Sequence, residues 1–330
     1  MKRIVITGAQ GFIGTALAKR LVRDGYALRL VSRSPRPSRL DTPRNTQIDY
    51  VAADLRDPRA WSQLLDGADA VVHLSSRTDL RAAEADPRGD DDINIAPIRA
   101  LAEVAAKRPT SAAVIFASTV TVAGAHPKLP VDESARDDPC SVYDRHKQIC
   151  ETILREATGR GALRACTLRL SNVYGYGSAL INANRGILNV MINRAMSGEP
   201  LTLYGDGAYV RDFTHLGDVV EAFRIAIAKP AICDGRHYVI TSGQGNSLAQ
   251  AYDLIAAAAL QHTGRRGEIR RVAEPRDLHP IEKRNFVGNS RLFGNLTGWS
   301  ARFDLQAGIR DYFERVAAQA KTGSVPDEAA

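Results

Sequence analysis

The chain has 330 residues, 44% of them hydrophobic and 25% charged, with a formal net charge of +7. That composition is ordinary for a globular protein, excludes extensive disorder, and supplies a core that needs no disulfide or metal staples. The basic residues are scattered and only 6% of residues are aromatic, so a base-stacking nucleic-acid platform has no support, whereas an anionic small ligand suits the charge.

In chain order, Met1-Lys2-Arg3 is followed by an apolar run that ends at Thr7-Gly8. It is too short for the core of a signal peptide, and no stretch reaches membrane-spanning length. A cytoplasmic protein without membrane contact is expected. The first half then alternates β-branched runs with helical patterns. Strands are predicted at Arg3–Thr7, Ala27–Ser32, Tyr50–Ala53, Ala70–Leu74, Ala112–Ser118 and Leu163–Leu170. Between the first two, Phe12–Arg23 places Ile13, Leu17 and Leu21 on one helical face. Strands bounded by helices imply right-handed crossovers and a parallel sheet covered on both sides. The expected fold is therefore α/β, a Rossmann-type doubly wound sheet over residues 1–170, with its ligand beyond the carboxyl ends of the strands.

After Ser171 the pattern loosens. A polar stretch, Asn172–Asn189, precedes a helix and short strands at Leu201–Tyr204 and Val210–Thr214. Helical patterns return at Gly217–Ala228, Ser247–His262 and Leu305–Ala320. Residues 171–330 read mainly as a smaller α/β substrate-binding domain, with some segments returning to the Rossmann core. Cys140, Cys150, Cys166 and Cys233 form no CxxC pair and no Cys/His cluster, which reads as free thiols in a reducing compartment and no metal site.

The first strand runs into Gly8-Ala9-Gln10-Gly11-Phe12-Ile13-Gly14, a GxxGxxG turn that opens a helix. Unpaired amides and the positive end of a helix dipole suit a pyrophosphate there, and glycines let the backbone approach it. Asp54, followed by Leu55, ends the third strand, where its carboxylate either accepts from an adenine amine or closes a turn. An NAD-preferring fold usually has an acidic residue at the end of the second strand. Here stand Ser32 and Arg33, which favour the 2′-phosphate of NADP, with NAD the other option and a solvated Arg33 the plain alternative.

Ser141, three residues before Asp144, resembles a capping box. It starts a helix on which Tyr143 and Lys147 stand at i and i+4, on one face. A phenol is a poor acid–base group at neutral pH unless a nearby cation stabilises its phenolate, as Lys147 can. YxxxK also arises in helices whose tyrosine is merely half-buried. The hydroxyls of Ser118 and Thr119 at the end of the fifth strand raise its meaning, because a strand-tip hydroxyl can bond the oxygen that gains or loses a proton.

Taken with these motifs, His73-Leu74-Ser75-Ser76, Asn94-Ile95, Arg169-Leu170-Ser171-Asn172-Val173-Tyr174-Gly175 and Tyr204-Gly205-Asp206-Gly207-Ala208-Tyr209-Val210-Arg211-Asp212-Phe213 resemble the extended short-chain dehydrogenase/reductase superfamily over nearly the whole chain. The last run is similar to a signature of nucleotide-sugar epimerases, dehydratases and reductases. The resemblance implies an enzyme in which Thr119 is the catalytic Ser/Thr, with Ser118 beside it. Tyr143 is the acid/base and Lys147 also binds the nicotinamide ribose. It further implies that Leu55, Leu74, Ser75, Ser76 and Asn94 border the cofactor. Asn172, Arg185, Arg211 and Arg276 would face a nucleotide-sugar substrate, and a homodimer would form through helices near Asn94–Lys107 and Tyr143–Ala157.

Departures narrow the reaction. Val120-Thr121 follows Thr119 where 4,6-dehydratases carry an Asp-Glu pair and decarboxylating relatives a glutamate. Ser32 and Arg33 favour exchangeable NADPH, so the expected reaction is reduction of a nucleoside-diphosphate 4-keto-6-deoxyhexose at C4. The alternatives are a nucleotide-sugar 4-epimerase with tightly held NAD and a catalytically silent, cofactor-sensing regulator.

Overall fold

In the computed structural model, which describes residues 1–33, 40, 47–108, 110–177, 186–276 and 278–322, the β-branched runs of the first half pair side by side. They form β1 (Arg3–Thr7), β2 (Ala27–Ser32), β3 (Ile48–Ala52), β4 (Ala70–His73), β5 (Ala113–Thr119) and β6 (Arg164–Leu170). All are parallel, and the strand order is β10-β6-β5-β4-β1-β2-β3, where β10 (His237–Ile240) is a late segment that docks beside β6. The order reverses next to β1. Thr7 pairs with Val31 of β2 on one side and His73 of β4 on the other, so the strand tips splay apart there and leave a crevice.

Both faces of the sheet are covered because both faces of its strands are apolar. On one side Leu17 and Leu21 of α1 (Phe12–Arg23) pack with Val219 and Phe223 of α8 (Leu216–Ala228) and Phe293 of α10 (Arg291–Thr297). On the other, Trp61 of α2 (Pro58–Leu65), Leu101 of α5 (Ala96–Lys107) and Leu154 of α6 (Val142–Gly159) form a second cluster. The short helices α3 (Leu80–Ala85) and α4 (Pro87–Asn94) lead into α5. The doubly wound sheet expected from the sequence is the fold of the molecule.

The later half builds a lobe over the strand tips. β7 (Asn172–Tyr174), β9 (Val210–His215) and β11 (Gly245–Ser247) make a three-stranded sheet, and β8 (Leu201–Tyr204) pairs with β12 (Ile269–Val272). Leu188 and Ile192 of α7 (Ile187–Met196), Ile255 of α9 (Leu248–Thr263) and Phe313 of α11 (Leu305–Thr322) close a third core around Phe213. α8 and β10 return to the main sheet, so residue 170 is not a clean cut between two bodies. Among the described residues no helix is long and apolar enough to cross a membrane.

Candidate active site

Gly8 follows β1 at φ +65°, and a Cβ there would stand 2.8 Å from the backbone nitrogen of Ser75 at the tip of β4. A Cβ on Gly14 would lie 2.3 Å from the Gly8 carbonyl oxygen. Only glycine lets β1 turn into α1 so tightly. α1 begins after Gly11 with no side-chain cap and no acidic residue in its first turn. Its leading amides and the positive end of its dipole are therefore left for an anion, which makes the turn a fitting seat for a dinucleotide's diphosphate.

A cavity of ≈ 580 Å³ opens from this turn across the strand tips. Gly8, Gly11, Phe12, Ile13 and Gly14 line it, with Ser32, Arg33, Leu55, Leu74, Ser75 and Ser76 along the sheet and Ser118, Thr119, Tyr143, Lys147 and Asn172 at its centre. Residues scattered over most of the chain thus share one wall.

α6 presents the tyrosine and lysine. Its N-terminus is capped by Ser141, whose hydroxyl accepts from the Asp144 N–H at 3.0 Å. Asp144 does not complete a capping box, because its carboxylate accepts from the Thr121 hydroxyl instead. One turn on, Lys147 is buried, with Nζ donating to the Ala117 carbonyl at 2.9 Å and standing 4.6 Å from the Phe116 ring centroid. Burial disfavours the ammonium and brings its pKa down to about 8. The Tyr143 ring centroid lies 5.7 Å from that nitrogen. Burial pushes the Tyr143 phenol above its ordinary value, and the Asp144 and Asp90 carboxylates push it the same way, while a hydrogen bond with Ser76 opposes them. So placed, Tyr143 holds its proton until positive charge arrives beside it. At the tip of β5, the Thr119 hydroxyl oxygen lies 2.8 Å from that of Thr121.

Residues 4–241 match the NAD dependent epimerase/dehydratase family. The chain belongs to this family. It is accordingly an NAD-dependent enzyme of the extended short-chain dehydrogenase/reductase type. The family match ends at Thr241, directly after β10, the last strand of the main sheet. Similar proteins include the UDP-glucose 4-epimerase of Mycolicibacterium smegmatis, 28% identical over 320 residues, covering 93% of this chain and 96% of that protein. The dTDP-L-rhamnose 4-epimerase of Burkholderia thailandensis is 25% identical over 356 residues, with 93% of each chain covered. The solved structure of the Thermotoga maritima UDP-glucose 4-epimerase with UDP-glucose is 25% identical, has a TM-score of 0.81, and is matched over 96% of this chain and 99% of that one.

Within this family fold, several residues expected at the site lie elsewhere. Asn94 is buried behind the β4 tip rather than on the cavity wall: its side chain accepts from the Ser76 hydroxyl and the Arg77 N–H, and donates to Asp90. It shapes the loop that borders the cavity. The Asp54 carboxylate is half exposed and accepts a bidentate pair from Arg56, which holds its pKa down; the flanking Ala53 and Leu55 reach the wall instead. Ser118 lines the cavity, yet its hydroxyl donates to buried Glu151. Glu151 in turn accepts from Arg169, which also donates to Asp137 at 2.6 Å.

The arginines of the lobe differ most from expectation. Arg211 is buried, and its guanidinium donates to the backbone carbonyls of Val210, Glu282 and Arg284. Neighbouring Asp212 collects the N–H groups of Ser242, Gly243 and Gly288. This Arg-Asp pair ties the segment around residues 282–288 to β9, and Arg211 is absent from the cavity lining. Arg276 is exposed and does not line the cavity either. Arg185 lies outside the described residues.

Sequence reasoning missed Thr121, and it read Asp144 only as a cap. Both join Thr119 in one hydrogen-bonded chain. No sequence signal marks that pairing, since Thr121 and Asp144 meet only because β5 and α6 pack together. The apolar far wall of Leu170, Tyr174, Ile187, Leu188 and Phe213 was also unread, because each of these residues looks like core.

Proposed function

We propose that this protein is a nucleotide-sugar 4-epimerase that keeps NAD bound through its cycle. The observation that carries the reading is the single cavity wall shared by the glycine turn, Thr119, Tyr143 and Lys147. A diphosphate seat, a phenol, a buried ammonium and a strand-tip hydroxyl together suit reversible oxidation of a sugar alcohol. The similar proteins named above are 4-epimerases, and 4-ketoreduction with NADPH, the reaction expected from the sequence, gains no support from them. Ser32 and Arg33 do line the cavity, so the choice between NAD and NADP falls to the cofactor test below.

Gly8 through Gly14 would hold the dinucleotide diphosphate, Leu55 and Ser32 would border its adenosine end, and Lys147 would hold the nicotinamide ribose. When bound, the nicotinamide supplies the acceptor and later the donor of the C4 hydride. Tyr143 takes the C4 hydroxyl proton as the alcohol is oxidised and returns it to the C4 oxygen after the keto sugar has turned its other face. Lys147 stabilises the phenolate that exists before this proton is taken and after it is given back. Thr119 holds the C4 oxygen, and Asn172 faces the sugar from the lobe. The homodimer implied by the resemblance would join through α5 and α6, which sedimentation can check.

Absorbance and mass analysis of the purified protein provide the test, together with incubation with UDP-glucose and dTDP-glucose. Stoichiometric NAD that survives dialysis, and appearance of the C4 epimer, are expected. Cofactor lost on dialysis, with NADPH consumed by a 4-keto sugar nucleotide, would replace epimerisation by reduction.

A further inference from the structure

Ser76, just past the tip of β4, stands between two partners. Its hydroxyl lies 2.8 Å from Oδ1 of Asn94 and is hydrogen-bonded to Tyr143, and both Ser76 and Tyr143 line the cavity. The Asn94 amide fits in only one orientation. Its oxygen accepts the Arg77 N–H at 2.9 Å, while its nitrogen donates to the Arg77 carbonyl at 3.1 Å and to buried Asp90 at 2.8 Å. Backbone groups cannot exchange these roles, so Oδ1 meets Ser76 as an acceptor and the Ser76 hydroxyl donates to it. Asn94 is itself held, because Asp90 also accepts from Nε of Arg77 at 3.1 Å and meets Nδ1 of His146 at 2.7 Å. Ser76 is thereby fixed beside the phenol.

We infer that Ser76 is a further catalytic residue, a second donor beside Lys147 to the Tyr143 phenolate oxygen. This rests on the reading above that Tyr143 is the acid/base. A serine has one hydroxyl proton, and only that hydrogen has to swing for the donor to serve either partner. While Tyr143 is protonated, the Ser76 proton points at Asn94. When Tyr143 is a phenolate, the proton turns to it, because a hydrogen bond to a charged oxygen is roughly twice as strong as one to a neutral amide. The turn does not strand Oδ1 of Asn94, since the Arg77 N–H stays on it. Once Tyr143 has taken the C4 proton, Ser76 swings back, and no proton is drawn from the sugar or from Thr119. The surroundings explain what a second donor adds. Burial, the Asp144 and Asp90 carboxylates and Cys150 all oppose ionisation of the phenol, whereas Ser76 favours it. Lys147 faces the ring from the next turn of the same helix, and Glu84 of α3 is taken up by the Val142 N–H. Ser76 thus brings a proton to the phenolate without bringing a charge into the buried site.

The test is the ionisation of Tyr143 itself, read as the ultraviolet difference between the full-length, NAD-loaded protein and its Tyr143→Phe variant as the pH is raised. Removing a donor to the charged form makes that form harder to reach. Ser76→Ala should therefore move the titration upward by about one pH unit, a loss of about tenfold in phenolate at a given lower pH. With UDP-glucose as substrate, the acid side of the kcat/KM profile should move the same way, while the rate at high pH stays within about twofold of the original. Ser76→Thr, which keeps the hydroxyl, should return both curves to their original position. If Ser76 only shaped the wall, Ser76→Ala would slow turnover equally at every pH and leave the titration where it was; that result overturns the inference. The two levels separate in the spectra. If no titrating tyrosine distinguishes the parent protein from Tyr143→Phe, Tyr143 is not the base, and the reading of the site falls together with the inference. A Tyr143 titration that is present but indifferent to Ser76→Ala sinks the inference alone.

Discussion

The sheet and the lobe use their polar residues in opposite ways. On the sheet side, parallel strands satisfy their own backbones and leave the tips with groups that face the crevice: the uncapped start of α1, Thr119, Tyr143 and Lys147. On the lobe side the strands are short and the connections long, so charged side chains are used to hold the backbone. Arg211 serves three carbonyls and Asp212 three amides, most of them from distant loops. A run of charged residues that looks like a ligand-binding signature can therefore be architecture. The deciding factor is how many loop groups nearby lack a partner.

The sharpest way to break this contrast is Tyr143→Phe. It should lower kcat by about 10²- to 10⁴-fold while bound cofactor and melting temperature stay as they were; turnover near the original value would move the chemistry away from the sheet wall. Next comes acid sensitivity. Burial holds the His73 pKa down at about 3, so the folded chain keeps His73 neutral where the unfolded chain takes up a proton. Its contribution to stability is intact above about pH 6.5 and falls as the pH drops towards 3, by about 4 to 5 kcal/mol at most. Denaturation curves between pH 7 and 5 should be shallower in their pH dependence for His73→Leu, and an unchanged slope would show that this imidazole is not the sensor.

On the lobe side, Arg211→Met should cost about 2 to 3 kcal/mol of stability, since it strands buried carbonyls, with KM for a nucleotide sugar altered less than about twofold. A stable variant with KM raised about tenfold would return Arg211 to the sugar. The smallest effect is expected from Asp54→Asn, where the lost ion pair with Arg56 is solvent-screened. Stability should change by under about 1 kcal/mol, and NAD content should not change; loss of cofactor would place Asp54 against the adenine.

Local pattern alone determined the doubly wound sheet, the glycine turn and the Tyr143–Lys147 pair. Each depends on interactions within one strand, one turn or one helix, and such short-range physics is written in residue spacing. The β10 strand, four residues long and set among helical patterns, was illegible because only docking against β6 makes it a strand. The same limit applies to side chains with a choice of partner. Whether Arg211 serves loop carbonyls or a ligand, whether Asp54 turns to Arg56 or the cavity, and whether Asp144 caps its helix or reaches Thr121 depends on elements far away in the chain. A buried polar group takes whatever partner packing brings near it, so the tertiary structure settled those choices.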